Sequence, residues 1–198
     1  MSTRSHREEN GDQCIWFPGT GNEYYVLLCD GMGTGAGAAR ESREAAQLLQ
    51  RLLRSGCPAE YALRSLNSLA VLRELGGCTT VDLVRLQLDT GKGTLYKWGA
   101  ASSYLLKNGQ LRKIGTASPP PGLSHQSRET VDRLSLGGGE VLLLLRDGAG
   151  EDMLLRAPWT APEPSPGALA AAILEQGALE GDDATVAVVR LRTPLDNP

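Results

Sequence analysis

The stretch Val26–Ser42, VLLCDGMGTGAGAARES, decides how this chain is to be read. An apolar run, Val26 to Cys29, stops at Asp30. Glycines follow at positions 31, 33, 35 and 37, and a helix-like pattern begins. Two readings compete: a glycine loop that wraps a dinucleotide phosphate, or an aspartate held at a strand end. Gly31, Gly33 and Ala36 fit a loose G-x-G-x-x-A, but the dinucleotide reading needs a second strand soon after the helix, with an acid about 20 residues on. Here a second helical pattern follows the first, and no strand pattern returns until about Thr79. A phosphate loop of the Gly-Lys-Ser/Thr kind is absent too. The aspartate at the strand end is the better reading.

Working outward, QCIWF (13–17) and EYYVLLC (23–29) read as strands around the turn PGTGN. Residues 36–55 read as a helix with Ala38, Ala45, Leu48, Leu49, Leu52 and Leu53 on one face. Gly56 suits its stop, and Pro58 suits the start of a second helix to about Leu75, striped by Ala62, Leu66, Leu69 and Ala70. TTVDLVRLQLD then alternates as a strand, with an irregularity before Leu86. TLYKWGA and SYLLK follow, and Asn108-Gly109 marks a hairpin into QLRKI. ETVDRLSL and EVLLLLRD are two further strands. The five apolar residues Val141 to Leu145 predict burial on both faces. After a Pro-rich loop over 157–167 come a short helix, Ala168 to Gln176, and a last strand in GDDATVAVVRLR. About nine strands and three or four helices result. The strands arrive as hairpins, so the expected class is α+β with antiparallel sheets. The expected organisation is a polar tail at 1–9, one domain over 10–193 and a C-terminal tail at 194–198.

Composition narrows the function. The chain has 198 residues and a net charge of −3, with no basic stripe for nucleic acid. No apolar run approaches the ~20 residues of a membrane span. The polar start MSTRSHREENGD lacks the apolar centre of a signal peptide. The four cysteines, 14, 29, 57 and 78, show no C-x-x-C spacing and read as reduced thiols. A cytoplasmic location is expected, whether or not a longer parent carries a membrane anchor. There are only two histidines, His6 in the polar tail and His125 in a loop, so a Ser-His-Asp or Cys-His hydrolase is disfavoured.

Carboxylates remain. Asp30 and Asp147 each end an apolar strand and precede glycine; Asp182-Asp183 opens the last strand; Asp12 follows Gly11. A single Asp-Gly after a strand is ordinarily a turn. Several at strand boundaries, in a chain nearly without histidine, suit hard divalent cations that take oxygen ligands.

NGD (10–12), DGMGTGAGAARES from Asp30, TTVDLVRLQLDTGKGTLYKWGAASSYLLKNG, RDG (146–148) and GDDATVAVV together resemble the bacterial type 2C serine phosphatases. Within that family they are similar in particular to the phosphatase domain of stage II sporulation protein E, from about Asn10 to Arg192. The resemblance implies a β-sandwich flanked by helix pairs, four layers αββα, and two Mn²⁺ or Mg²⁺ ions. It implies hydrolysis of phosphoserine on a protein partner, an anti-sigma-factor antagonist, by a metal-activated water with no covalent intermediate. By position, Asp12, Asp30, Asp147 and Asp182 match the acidic metal ligands, with the Gly31 carbonyl beside Asp30. The helices after Asp30 match a pair that contacts a second subunit, so a homodimer is expected. Arg146 stands where a small residue is usual, and could pair with a ligand carboxylate or reach the substrate phosphate. A catalytically degenerate regulatory or docking domain is the alternative that this residue and the charged N-terminus motivate.

Overall fold

The computed structural model describes residues 2–4, 10–33, 35–72, 79–107, 109–116, 118–146, 154, 165–176 and 184–191. In chain order the elements are β1 (Ser2–Arg4), β2 (Asp12–Pro18), β3 (Glu23–Gly31), α1 (Ala36–Arg54), α2 (Ala59–Leu72), β4 (Thr79–Gln87), β5 (Lys92–Trp98), β6 (Ser103–Lys107), β7 (Gln110–Ile114), β8 (Thr130–Ser135), β9 (Val141–Leu145), α3 (Pro166–Glu175) and β10 (Ala184–Val189). They fall in two compact units, one of residues 7–100 and 115–134, the other of residues 1–6, 101–114 and 135–198.

The first unit holds a sheet in the order β2-β3-β4-β5-β8. Its first turn closes with Gly19 N–H donating to Glu23 O at 2.9 Å, and Gly21 takes φ 62°, a value glycine adopts without penalty. Successive strand residues point to opposite faces. One face carries Phe17, Tyr25, Leu27, Cys29, Val81, Leu83, Tyr96 and Trp98 into a core with both helices. α1 contributes Ala45, Ala46, Leu49 and Leu53, and α2 contributes Ala59, Ala62, Leu63 and Leu66. Truncating a leucine buried this completely costs about 2–5 kcal/mol. The stripe on α2 is set further toward its start than expected: Leu63 is buried, whereas Leu69 and Leu72 are exposed.

α1 ends as the sequence suggests. Gly56 has φ 85° and donates to Leu53 O, while Cys57 N–H donates to Leu52 O at 3.0 Å. This pair of bonds satisfies two of the last carbonyls of the helix. Arg54 then lies over the Phe17 ring, 5.5 Å from its centroid, and Phe17 stacks on Tyr25. At the start of α2, Tyr96 Oη donates to Glu60 at 2.7 Å. Burial, reinforced by Glu60, pushes the Tyr96 hydroxyl up to about 12, and the same bond holds Glu60 below its usual value.

The irregularity expected in β4 is absent. Its register with β3 runs unbroken from Glu23↔Gln87 to Gly31↔Thr79. Alternation fails in the sequence because both faces are buried: Val81 and Leu83 point to the helices, and Asp82, Val84 and Leu86 to the opposite face.

The second unit holds a sheet in the order β1-β10-β9-β6-β7, with α3 packed against β10 and β1. All five β9 residues are buried, as their unbroken apolar run predicts. Lys107↔Gln110 closes the β6–β7 hairpin at the expected turn. Ser165 caps α3, its hydroxyl accepting from Ala168 N–H, with Pro166 in the first turn. Residues 2–4 correct the expectation of a tail there: they pair antiparallel with β10, Ser2↔Val186 to Arg4↔Ala184. An edge strand is held by its backbone on one side only, so polar side chains do not prevent it. The observed class is α+β with antiparallel strand pairing.

Candidate metal centre

Asp12 and Asp30 are direct cross-strand partners in the β2–β3 ladder. Paired residues share a face, with Cβ atoms ~4.5–5.5 Å apart. That face is the one turned away from α1 and α2, because Cys29 and Leu27, of opposite parity to Asp30, are in the helix-facing core. Asp30 also pairs with Thr80 on β4, so Asp12, Asp30 and Thr80 form one row across three strands. Asp12 is buried, 8% exposed, and Asp30 is half-buried. Asn10 fixes the approach to Asp12, its side-chain oxygen accepting from Asp12 N–H at 2.8 Å. Gly31 N–H donates to Gly11 O at 3.4 Å, which carries the ladder one step past the aspartates.

Gly31 is a glycine for a packing reason. A Cβ there would fall within 2.9 Å of the Ala38 backbone in the first turn of α1. The helix therefore rests on the residue after Asp30 at a distance no side chain allows. Gly33 and Gly35, with φ 94° and 78°, turn the chain from the strand into that helix. A β-α-α-β order, with β4 antiparallel to β3, replaces the β-α-β unit that a dinucleotide site would need.

Of the other expected ligands, Asp147 and Asp182 lie outside the described residues. Among the described residues no group of three or more His, Cys, Asp or Glu side chains gathers around a common point. The described part of the candidate centre is thus the Asp12–Asp30 pair with Gly31. Its donors are all oxygens, two carboxylates and a carbonyl, a set that fits Mg²⁺ or Mn²⁺ rather than a thiophilic metal. Arg146 directly follows β9 in the second unit, 1% exposed, with its backbone N–H donating to Thr185 O at 3.1 Å.

One feature of this sheet face was missed in the sequence. Asp82 and Lys97 are cross-strand partners on β4 and β5 and form an ion pair, with side chains 0% and 1% exposed. They occupy the row next to Asp12–Asp30–Thr80, together with Cys14 and Leu28. A charge inside an alternating strand reads from sequence as a solvent-facing residue. The available signal was the turn after Leu88, which sets the β4–β5 register and so opposes residues 82 and 97.

Comparison with known proteins identifies the family and the fold. The family model of stage II sporulation protein E (SpoIIE) matches residues 20–192. Stage II sporulation protein E of Bacillus subtilis (strain 168) is 30% identical over 130 residues, which are 65% of this chain and 16% of that protein. The chain therefore spans about a sixth of the length of that relative. Among solved structures, the PP2C phosphatase domain of SpoIIE from Bacillus subtilis, with a fragment of its regulatory domain, superposes with a TM-score of 0.80 at 27% identity. The match covers 93% of this chain and 58% of that one. RsbX in complex with magnesium shares the fold at a TM-score of 0.72 and 14% identity, over 92% of this chain and 87% of its own. With the family model covering most of its length and the fold that of the type 2C phosphatases, this chain belongs to the stage II sporulation protein E family as a type 2C phosphatase domain.

Proposed function

We propose that the chain is an active, metal-dependent protein serine phosphatase whose substrate is a phosphoserine on a regulatory partner, an anti-sigma-factor antagonist. The observation that carries this reading is the Asp12–Asp30 cross-strand pair, followed at once by Gly31 under α1. Two carboxylates so placed repel each other unless a cation lies between them. Asp12, Asp30 and the Gly31 carbonyl, with Asp147 and Asp182, would hold two Mn²⁺ or Mg²⁺ ions. Bound there, the ions supply an activated water and neutralise charge developing at phosphorus. The chain's own residues do the positioning. The β2–β3 register sets the spacing of the two carboxylates, and α1 sets the Gly31 backbone. Arg146, beside Asp147, would offer a planar guanidinium to a ligand carboxylate or to the phosphate.

The second reading is a docking domain that keeps the fold without turnover. It is favoured by Arg146, a bulky buried cation directly before Asp147, where the family resemblance implies a small residue. Hydrolysis of p-nitrophenyl phosphate and of a phosphoserine peptide, measured beside a calorimetric Mn²⁺ titration, separates the two. Metal uptake with metal-dependent turnover supports the enzyme. Uptake without turnover supports the docking domain, and no uptake ends both metal-based readings.

The proposal extends to assembly and location. Tyr61, Leu69 and Leu72 stand exposed along one side of α2, more apolar surface than the sheet beneath it uses. A weak homodimer through α1 and α2 would cover it, and sedimentation across a wide concentration range tests this. No helix among the described residues is long and apolar enough to cross a membrane, in keeping with the cytoplasmic location we propose.

A further inference from the structure

The Asp82–Lys97 pair lies on the same sheet face as Asp12 and Asp30, one row away. Leu28 is directly opposite Asp82, and Asp30 is two residues beyond Leu28, which makes Asp30 and Asp82 diagonal neighbours ~7–8 Å apart. Asp12, Asp30 and Asp82 therefore share one face, with Asp30 the neighbour of each of the other two, and one buried ammonium is bonded to Asp82. Stability alone does not account for that ammonium. A buried ion pair replaced by apolar residues of similar size is often neutral or stabilising.

The surroundings hold Lys97 in place. Gly115, at φ 81°, packs on the Lys97 stem so closely that a Cβ there would lie 2.9 Å from Cε. Ser118 Oγ donates to the Lys97 carbonyl at 3.4 Å and accepts from Gly99 N–H at 3.1 Å. Pro120 covers Gly99, where an added Cβ would meet it at 2.6 Å. Asn67 anchors the same segment to α2, its amide accepting from Gly122 N–H and donating to Ser124 O. Gly115, Ser118, Pro120 and the 122–124 segment thus form a clasp over the root of Lys97.

We propose that Lys97 is a positioning residue, an internal counter-ion that holds the Asp82 carboxylate and keeps it from joining the cation site at Asp12 and Asp30. This rests on the reading of those two aspartates as metal ligands. Without Lys97, Asp82 would be a third anion on the face and would draw a cation toward its own row. Without Asp82, the face would lose one negative charge while keeping the Lys97 ammonium, and cations would be held there less tightly.

The test is a set of Mn²⁺ titrations by calorimetry on the full chain, wild type and three variants, with denaturant unfolding of each metal-free protein alongside. Asp82→Asn should weaken Mn²⁺ binding by at least about tenfold, since a unit charge and a divalent ion interact strongly across this distance in a partly buried site. Lys97→Met should shift it the other way, to tighter binding or a further bound equivalent. The double variant D82N/K97M carries neither charge and should return to within about threefold of wild type. If Lys97→Met does not fold, the comparison of Asp82→Asn with the double variant still decides the matter: removing the lysine must recover affinity. Affinities that fall together in every variant, or stay level while stability changes, would overturn the counter-ion role and leave the metal site standing. A wild-type chain that takes up no Mn²⁺ would overturn the metal site and this proposal with it.

Discussion

Asp30 lies between Asp12 on β2 and Thr80 on β4 and is the direct cross-strand partner of both. A carboxylate so flanked has a neighbouring anion on one side and a hydroxyl-bearing residue on the other. Asp30→Asn keeps the shape and removes the charge. Mn²⁺ uptake should lose at least one equivalent. Turnover of p-nitrophenyl phosphate should fall by ~10³-fold, about 4 kcal/mol of transition-state stabilisation. The metal-free variant should be as stable as wild type or more so, because two like charges no longer crowd one row. Equal Mn²⁺ affinity and stoichiometry in the two proteins would make Asp30 an ordinary strand residue.

Gly31→Ala tests the seat of α1. The added methyl must push the first turn of the helix away from β3, since its nearest neighbours are backbone atoms of Ala38. Overpacking of this kind costs about 1–3 kcal/mol, and urea unfolding should register it. Turnover should drop more than stability does, because the displaced carbonyl belongs to the candidate centre. A variant as stable and active as wild type would mean that α1 is not seated there in solution.

Asn67 is buried in α2, and its amide satisfies both a backbone donor and a backbone acceptor of the 122–124 segment. Asn67→Leu keeps the branching at Cγ, with some added bulk, and leaves both groups without that partner. The expected loss is about 1–3 kcal/mol. The Gly122 amide should exchange with solvent much faster, as hydrogen-exchange mass spectrometry would read. Unchanged protection at Gly122 would contradict the clasp.

The Tyr96–Glu60 bond predicts a pH dependence with two limbs. Glu60 is held low in the fold, so its contribution is present above its usual value of 4.5 and is lost as pH falls through the depressed value. Tyr96 is raised from 10.0 to about 12, so its contribution is complete below pH 10 and is lost as pH rises toward 12. Tyr96→Phe should flatten the alkaline limb between those values relative to wild type, measured as urea midpoints against pH. Parallel limbs in the two proteins would show that Tyr96 does not titrate with unfolding.

Much of this arrangement could be read from residue order, and the parts that could not share a cause. Hairpins with glycine turns, the capped end of α1 and the doubly buried β9 are local features, set by neighbours a few residues apart. Asp12 and Asp30 were singled out because each sits beside a glycine at a strand boundary. β1 was missed because Ser2–Arg4 owe their strand conformation to β10, at the other end of the described chain. Asp82 and Lys97 were passed over because polarity in an alternating strand ordinarily means solvent, and only the partner strand reveals that both are buried. The exposed Leu69 and buried Leu63 of α2 show the same limit. A helical stripe is broad enough to be placed one turn off until the sheet beneath it is known.

The unbroken β3–β4 register has a consequence for where this chain can accept change in length. Side-chain direction alternates residue by residue, so one residue inserted before Asp82 within β4 would reverse the facing of everything from there to Gln87. Asp82 would take the place of Leu83, opposite Leu27 and facing the helices, while the inserted residue stood in its stead diagonal to Asp30. The same insertion at residues 89–91, in the turn, would leave every strand residue facing as before. A family of chains built on this sheet should therefore vary in length at that turn and hold β4 constant, even where its individual side chains drift.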